Sequence, residues 1–339
     1  RVEVVPTGWT SPKGGAALEV EGDTLVPHMG ARAYFGDKCT AGSYSNTQYV
    51  APNLLGKTIR FTTDLSGAGC GCNAAFYLVS MKQNTNPSSC DDYYCDANSV
   101  CDVACAEIDI MEANQHAWHS TLHTSHDHNG AGSGYGGGAS WNGPRDFGAA
   151  QYGPGASCID TAKPFEVAVS FPVSAQGTLL AMEVVLTQEG HSCPLKARVG
   201  DYAGMAELSA ALAAGMTPVF SYWGSDDMLW MDGKGSDGQG PCATDNSAAC
   251  PDFVKFYGFT MEGGSSPDAP AAPAPAQVPA AAPAPAAAAT CPGRLALEGH
   301  GQVQIIPTGW NTPGYSDIEV LDGGSALVPH MGARAYFAE

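Results

Sequence analysis

What most narrows the fold is a series of short apolar or alternating runs, each broken off by Gly, Pro, Asn or Ser. They fall at 58–65, 74–81, 165–171, 179–186, 218–222 and 253–261. Runs of this length and patterning read as strands, and many of them with turn-rich gaps indicate an all-β sandwich or jelly roll. One helix is expected at 206–213, where Met205, Leu208 and Leu212 form a stripe and Gly215 supplies a stop.

Twelve cysteines weigh on the same segment, nine of them before residue 194. The spacings around Cys70, Cys72, Cys90, Cys95, Cys101 and Cys105 do not repeat the paired C-x₂-C pattern of zinc sites. Disulfides are the favoured reading, and they place the chain in an oxidising, extracellular or cell-surface setting. A net charge of −19 with only 15 Lys and Arg leaves no cationic surface for a phosphate backbone, so no nucleic-acid partner is expected. No apolar run is long enough to cross a membrane. The chain starts at Arg1 with no signal-like segment, and is expected to be a processed or excised piece.

Three regions follow from composition. Residues 1–263 form the strand-rich domain, and 264–290 are an Ala/Pro spacer in which fixed φ angles favour extended chain. Residues 291–339 begin a second copy of the first domain. Residues 303–310 return the pattern of 2–9, and 328–337 return 26–35 without a change. A period this long means repeated whole domains rather than a solenoid. Since a few strands do not hold a fold alone, residues 302–339 are expected either to open a further tandem domain or to lend strands to a neighbour, head to tail.

The chemistry concentrates in Glu107-Ile108-Asp109-Ile110-Met111-Glu112. On a strand, Glu107 and Asp109 share one face while Ile108 and Ile110 share the other. Glu112 sits at an odd offset from Glu107 and would point away unless a β-bulge near Met111 turned it back. Two carboxylates flanking one bond, with a third tuning their protonation, are the equipment of glycoside hydrolysis. An unused acidic surface strand is the competing reading.

These residues and several other blocks resemble glycoside hydrolase family 7, the cellobiohydrolases and endoglucanases acting on β-1,4-glucan. The likeness covers about 30–263 and rests on Gly30-Ala31-Arg32-Ala33-Tyr34, Cys70-Gly71-Cys72-Asn73-Ala74-Ala75-Phe76-Tyr77, Tyr94-Cys95-Asp96, Tyr152-Gly153-Pro154-Gly155 and Met228-Leu229-Trp230-Met231-Asp232. The acid motif itself is shared with family 16. The resemblance implies a curved antiparallel jelly roll and a retaining double displacement. Glu107 would be the nucleophile, Glu112 the general acid/base, Asp109 the carboxylate between them and His123 a neighbour of the acid/base. Asn73, Tyr77, Tyr94 and Asn98 would line the cleft, Asn98 standing where the family usually has Gln. Trp223 and Trp230 would be sugar-stacking platforms, with a buried core tryptophan the equal alternative for each. No cofactor or metal is expected.

Departures from the family bear on substrate range. The region before Gly30 is short, with Trp9 the one aromatic there in a platform-like place, and the stretch between Cys95 and Cys105 lacks a long insertion. The tunnel enzymes' arginine is missing at Gln239-Gly240-Pro241-Cys242, and Met111 stands where the family usually has Trp. A thin roof implies an open cleft and endo-type cutting. His116, His119, His123, His126 and His128 crowd one stretch, but their spacing puts them on no common face, which disfavours zinc. The alternative function is a structural or glucan-binding module of an extracellular fibre or wall assembly, possible because fold does not guarantee chemistry.

Overall fold

The computed structural model describes residues 2–8, 17–40, 42–138, 141, 145–235 and 237–263, together with the backbone of 294–295, 304–309, 318–321, 326–329 and 333–338. Trp9 and the Ala/Pro spacer at 264–290 lie outside the described residues. The chain divides into two units, Arg1–Glu298 and Gly299–Glu339.

In the first unit the strands are β1 (Val2–Gly8), β2 (Leu18–Glu21), β3 (Thr24–Pro27), β4 (Ala31–Gly36), β5 (Lys57–Asp64), β6 (Cys72–Val79), β7 (Glu107–Ala113), β8 (Trp118–His123) and β9 (Ala131–Tyr135). They continue as β10 (Tyr152–Gly153), β11 (Ile159–Asp160), β12 (Phe165–Ser170), β13 (Ala181–Thr187), β14 (Leu195–Gly200), β15 (Thr217–Gly224), β16 (Lys255–Gly263) and β17 (Arg294–Leu295). One sheet runs β17-β1-β4-β15-β6-β7-β8-β9, and the other runs β14-β13-β12-β5-β16-β3-β2. Pairing within both is antiparallel; β10 and β11 form a small parallel ribbon. This is the all-β sandwich that the broken apolar runs predict, with strand ends shifted by one or two residues.

Each strand's alternation decides which face it buries. β14, Leu-Lys-Ala-Arg-Val-Gly, alternates buried and exposed from Leu195 to Val199, as an outer strand with one wet face should. The two sheets meet through a ring of aromatics. Phe76 on β6 stacks on Phe220 of β15 at 4.2 Å and meets Phe61 of β5 edge-on at 5.0 Å. Phe256 and Phe259 of β16 close the group, joined by a register shift between Tyr257 and Thr260. Gly258 takes φ +68 inside that shift, a conformation that favours glycine.

Helix α1 (Met205–Ala214) buries Leu208 and Leu212 and ends at Gly215 with φ +91. A second helix, α2 (Leu229–Asp232), was not foreseen, because four residues are too few to display a helical period. The first sheet's outer face carries a second apolar cluster that includes Tyr34, Tyr49, Tyr77 and Tyr94. The loops covering it are stapled by Cys90–Cys101 and Cys95–Cys105. Cys70–Cys242, Cys72–Cys250 and Cys158–Cys193 are also paired, and Cys39 is disulfide-bonded.

The second unit contains β18 (Gln304–Gly309) paired with β21 (Ala333–Ala338), and β19 (Ile318–Leu321) paired with β20 (Ala326–Pro329). Among the described residues no helix is long and apolar enough to cross a membrane.

Candidate active site

Strand β7 carries the three acids between β6 and β8. Its pairing with β8 sets Glu107 opposite His123 and Asp109 opposite Thr121, then resumes with Glu112 opposite His119. Ile110 and Met111 therefore face the single Ser120, which is a β-bulge. Ser120 Oγ donates to Ile110 O at 2.7 Å and accepts from Trp118 Nε1 at 2.9 Å, holding the bulged backbone. Ile108, Ile110 and Met111 all enter the core. The extra residue thus returns Glu112 to the outer face beside Glu107 and Asp109, as the offsets required.

Directly paired residues of an antiparallel sheet share a face, and this rule assembles the rest of the site. Ala75 opposes Glu112 and Tyr77 opposes Asp109 across β6, while Trp223 of β15 opposes Asn73. Asn73 Nδ2 donates to Glu112 Oε1 at 3.0 Å. On the far side His123 Nε2 lies 3.1 Å from Asp109 Oδ2, and His123 Nδ1 lies 3.0 Å from Asp127 O. Gly130 packs against this ring: a Cβ there would meet His123 Nδ1 at 2.6 Å, at a φ of +63.

Glu107 is 7% exposed. Its Oε2 accepts from the Ala97 N–H at 2.9 Å, in the loop closed by Cys95–Cys105. Asp96 next to it accepts from the Tyr94 hydroxyl and from Val100 N–H. Tyr94 OH is 3.0 Å from Tyr77 OH. Each phenol has one proton, so Tyr77 donates to Tyr94 and Tyr94 to Asp96. The Arg32 guanidinium stacks on the Tyr94 ring at 3.8 Å and lies 3.6 Å from Asp92, whose carboxylate also accepts from Tyr34 and Ser88.

Burial and crowding set the protonation. Desolvation, then the neighbouring charges of Asp109 and Asp96, hold Glu107 well above the ordinary carboxylate range, against the Ala97 N–H bond. Desolvation and the Asp109 charge push Glu112 up to about 8, opposed by the Asn73 bond and His123. Asp96 is likewise raised by burial. Burial lowers His123, but the hydrogen bond and charge of Asp109 outweigh it and leave it raised. Glu112 therefore keeps its proton to neutral pH, with the His123–Asp109 pair at the cluster's edge.

The structure brings together Glu107, Asp109, Glu112, His123 and Asn73, with Tyr77 and Tyr94 one step behind Glu107. Asn98 is exposed on the turn after Ala97. Trp223 and Trp230 stack at 6.5 Å and 20°, and Trp230 is 41% exposed, which departs from the core-tryptophan alternative for that residue. Sequence reasoning missed Asp96 and the Ala97 N–H as partners around Glu107; the signal was the short Cys95 to Cys105 spacing that folds this loop onto the acids. The histidines do not converge. His119 is buried against Trp141 at 4.1 Å, with burial pushing it down to about 3, whereas His126 and His128 are exposed. Among the described residues the one group with metal-ligand reach is Cys70, Asp232 and Cys242, and its two sulfurs are joined to each other.

No family model matches the chain. A probable endo-β-1,4-glucanase of Neosartorya fischeri is 30% identical over 256 residues, 61% of this chain and 61% of that protein. Endoglucanase EG-1 of Hypocrea jecorina is 30% identical over 238 residues, 59% of this chain and 50% of that protein. The chain thus spans between half and two thirds of these relatives' own lengths. Among solved structures, an endoglucanase I complexed with cellobiose superposes with a TM-score of 0.57 at 20% identity, covering 73% of this chain and 78% of that one. A family-7 cellobiohydrolase from Daphnia pulex gives 0.55 at 19% identity, covering 76% and 82%. These structural likenesses establish the shared fold.

Proposed function

We propose that this chain, similar in sequence to endo-β-1,4-glucanases and in fold to family-7 cellulases, is a secreted endo-acting hydrolase of β-1,4-glucan. The observation that carries this reading is the bulged β7, which sets Glu107, Asp109 and Glu112 on one buried face between Asn73 and His123. In the proposed retaining reaction Glu112 is the acid. Its pKa of about 8 keeps the proton on it at working pH, ready for the glycosidic oxygen. Glu107, aligned by the Ala97 N–H, attacks the anomeric carbon and forms a glycosyl-enzyme. Glu112, now ionised, takes a proton from the water that releases the sugar. Asp109, paired with His123, supplies the negative field that holds a proton on Glu112 and receives positive charge as it develops on the ring.

Glu107 is itself raised, so the resting cluster of Asp96, Glu107, Asp109 and Glu112 holds fewer charges than carboxyl groups. The nucleophile becomes anionic when its proton passes to a neighbouring ionised carboxylate of the cluster, a transfer favoured as positive charge develops on the ring beside Glu107. The stacked Trp223 and Trp230 are the proposed sugar platform, since flat aromatic rings pair with apolar sugar faces. The five described disulfides support an extracellular location.

The test is release of reducing ends from soluble β-1,4-glucan by the purified chain, beside Glu107→Gln and Glu112→Gln. We expect losses on the order of 10²–10⁴-fold or more for each variant. Equal background release by all three would overturn the reading.

A further inference from the structure

The second unit repeats more of the first than its sequence. In the first unit β1 pairs with β4 from Glu3–Gly36 to Gly8–Ala31, and in the second β18 pairs with β21 from Gln304–Ala338 to Gly309–Ala333. These are the same partners in the same register. β19 and β20 likewise reproduce β2 and β3, with Glu319 opposite Val328 as Glu19 is opposite Val26. Residues 2–36 are moreover a corner of the sandwich. They supply two strands near one side of each sheet and attach to the rest through β4 on β15 and β3 on β16, with the two-residue β17 added along β1.

The duplicated residues divide along this boundary. Ala31, Arg32, Ala33 and Tyr34, which face β15, and Leu25, which faces β16, all recur unchanged as Ala333, Arg334, Ala335, Tyr336 and Leu327. Differences fall mainly on the strands beyond, where Glu3, Val4 and Val5 become Gln304, Ile305 and Ile306, with Gly36 becoming Ala338 and, at the β16 boundary, Thr24 becoming Ala326. The edges that dock in the first unit are open in the second: among the described residues β21 pairs with β18 and β20 with β19, and with no third strand. An open strand edge is a template for another sheet.

We infer that residues 303–338 of one molecule can take the place of residues 2–36 in the sandwich of a second copy of this chain, docking on its β15 and β16. Exchange of an identical element rebuilds the same interface and is a low-cost route to association. The resident strands remain favoured, because a Cβ at the Gly36 position would lie 3.1 Å from the carbonyl oxygens of Lys38 and Gln48, which lie outside the exchanged segment. Exchange is therefore the minor, concentration-dependent state, and it is independent of whether the acids cut glucan.

A disulfide trap in the full chain tests this. Val219 opposes Tyr34, so Val219→Cys in one chain and Tyr336→Cys in another should cross-link when the two are co-expressed under oxidising conditions. Ala335→Cys is the control, since one residue of slip turns its side chain to the opposite face. We expect the 219–336 heterodimer to exceed the 219–335 one by roughly ten-fold or more. Equal yields overturn the inference, as does a 219–336 link formed only within one doubly substituted chain. Sedimentation gives an independent readout. The dimer fraction of the unmodified chain should rise with concentration and be lost in Ala335→Pro, which removes a ladder N–H. A chain that stays monomeric over about a hundred-fold concentration range, with no 219–336 heterodimer, overturns it as well.

Discussion

Glu112 is half-buried between the Asn73 amide and the charge of Asp109, and its pKa of about 8 fixes where activity should fail. Below that value it keeps the proton an acid catalyst needs. As pH rises through it, kcat/KM should fall about ten-fold per unit, the slope of a single lost proton. Asn73→Ala removes a bond that favours the ionised form, so its alkaline limb should move to higher pH; a limb that stayed in place would deny that bond its role. His123→Asn should move the limb the same way, since His123 also opposes the rise in Glu112. The acids could be read directly from residue offsets, because period two leaves Glu112 on the wrong face unless a bulge intervenes. Asp96 could not, since the short Cys95 to Cys105 spacing is a signal only once those two cysteines are known to pair, and spacing alone leaves the pairing open.

At the scale of elements, the loop over the outer face of the first sheet depends on a buried ion pair. Asp92 accepts from Tyr34, Ser88 Oγ and Tyr94 N–H and lies beside Arg32, with the Asp92 and Arg32 side chains fully buried. Asp92→Ala should cost about 3–5 kcal/mol, because a buried guanidinium loses its carboxylate. Chemical denaturation would show this; a loss below about 1 kcal/mol would mean that Arg32 is satisfied without it. Deleting Met111 tests the bulge. Regular pairing would then run through β7 with Glu112 an even four positions from Glu107 and so still on the outer face. The variant should stay folded with a lower melting temperature from the lost Met111 core packing; an unfolded variant would mean that the bulge does more than face Glu112 outward. The strands were legible because each alternation is tied to one buried face. Helix α2 was not, since Leu229-Trp230-Met231-Asp232 is a single turn held by Met228 O accepting from Met231 and Asp232 N–H.

For the whole molecule, the raised acids predict how stability responds to pH. A group with a higher pKa folded than unfolded binds more protons in the native state, so stability falls as pH rises between the two values. Glu107 and Glu112 belong here, with Asp232, whose pKa burial and the nearby Asp245 raise to about 7. Raised His123 acts in the same direction. Buried His119, pushed down to about 3, acts oppositely, but only up to the ordinary histidine value of about 6.5. From about pH 6.5 to 8 only the falling contributions remain, and net charge of −19 adds self-repulsion. The melting temperature should therefore decline steadily across that window. Asp232 Oδ2 accepts from Gly71 N–H and Asn114 Nδ2, and Asp232→Asn retains an acceptor oxygen there without needing a proton, so its decline should be shallower. A melting temperature that is flat or rises from pH 6.5 to 8 would mean that these carboxyl groups are ionised in the folded protein. Glu112 would then lack the proton that its proposed role requires.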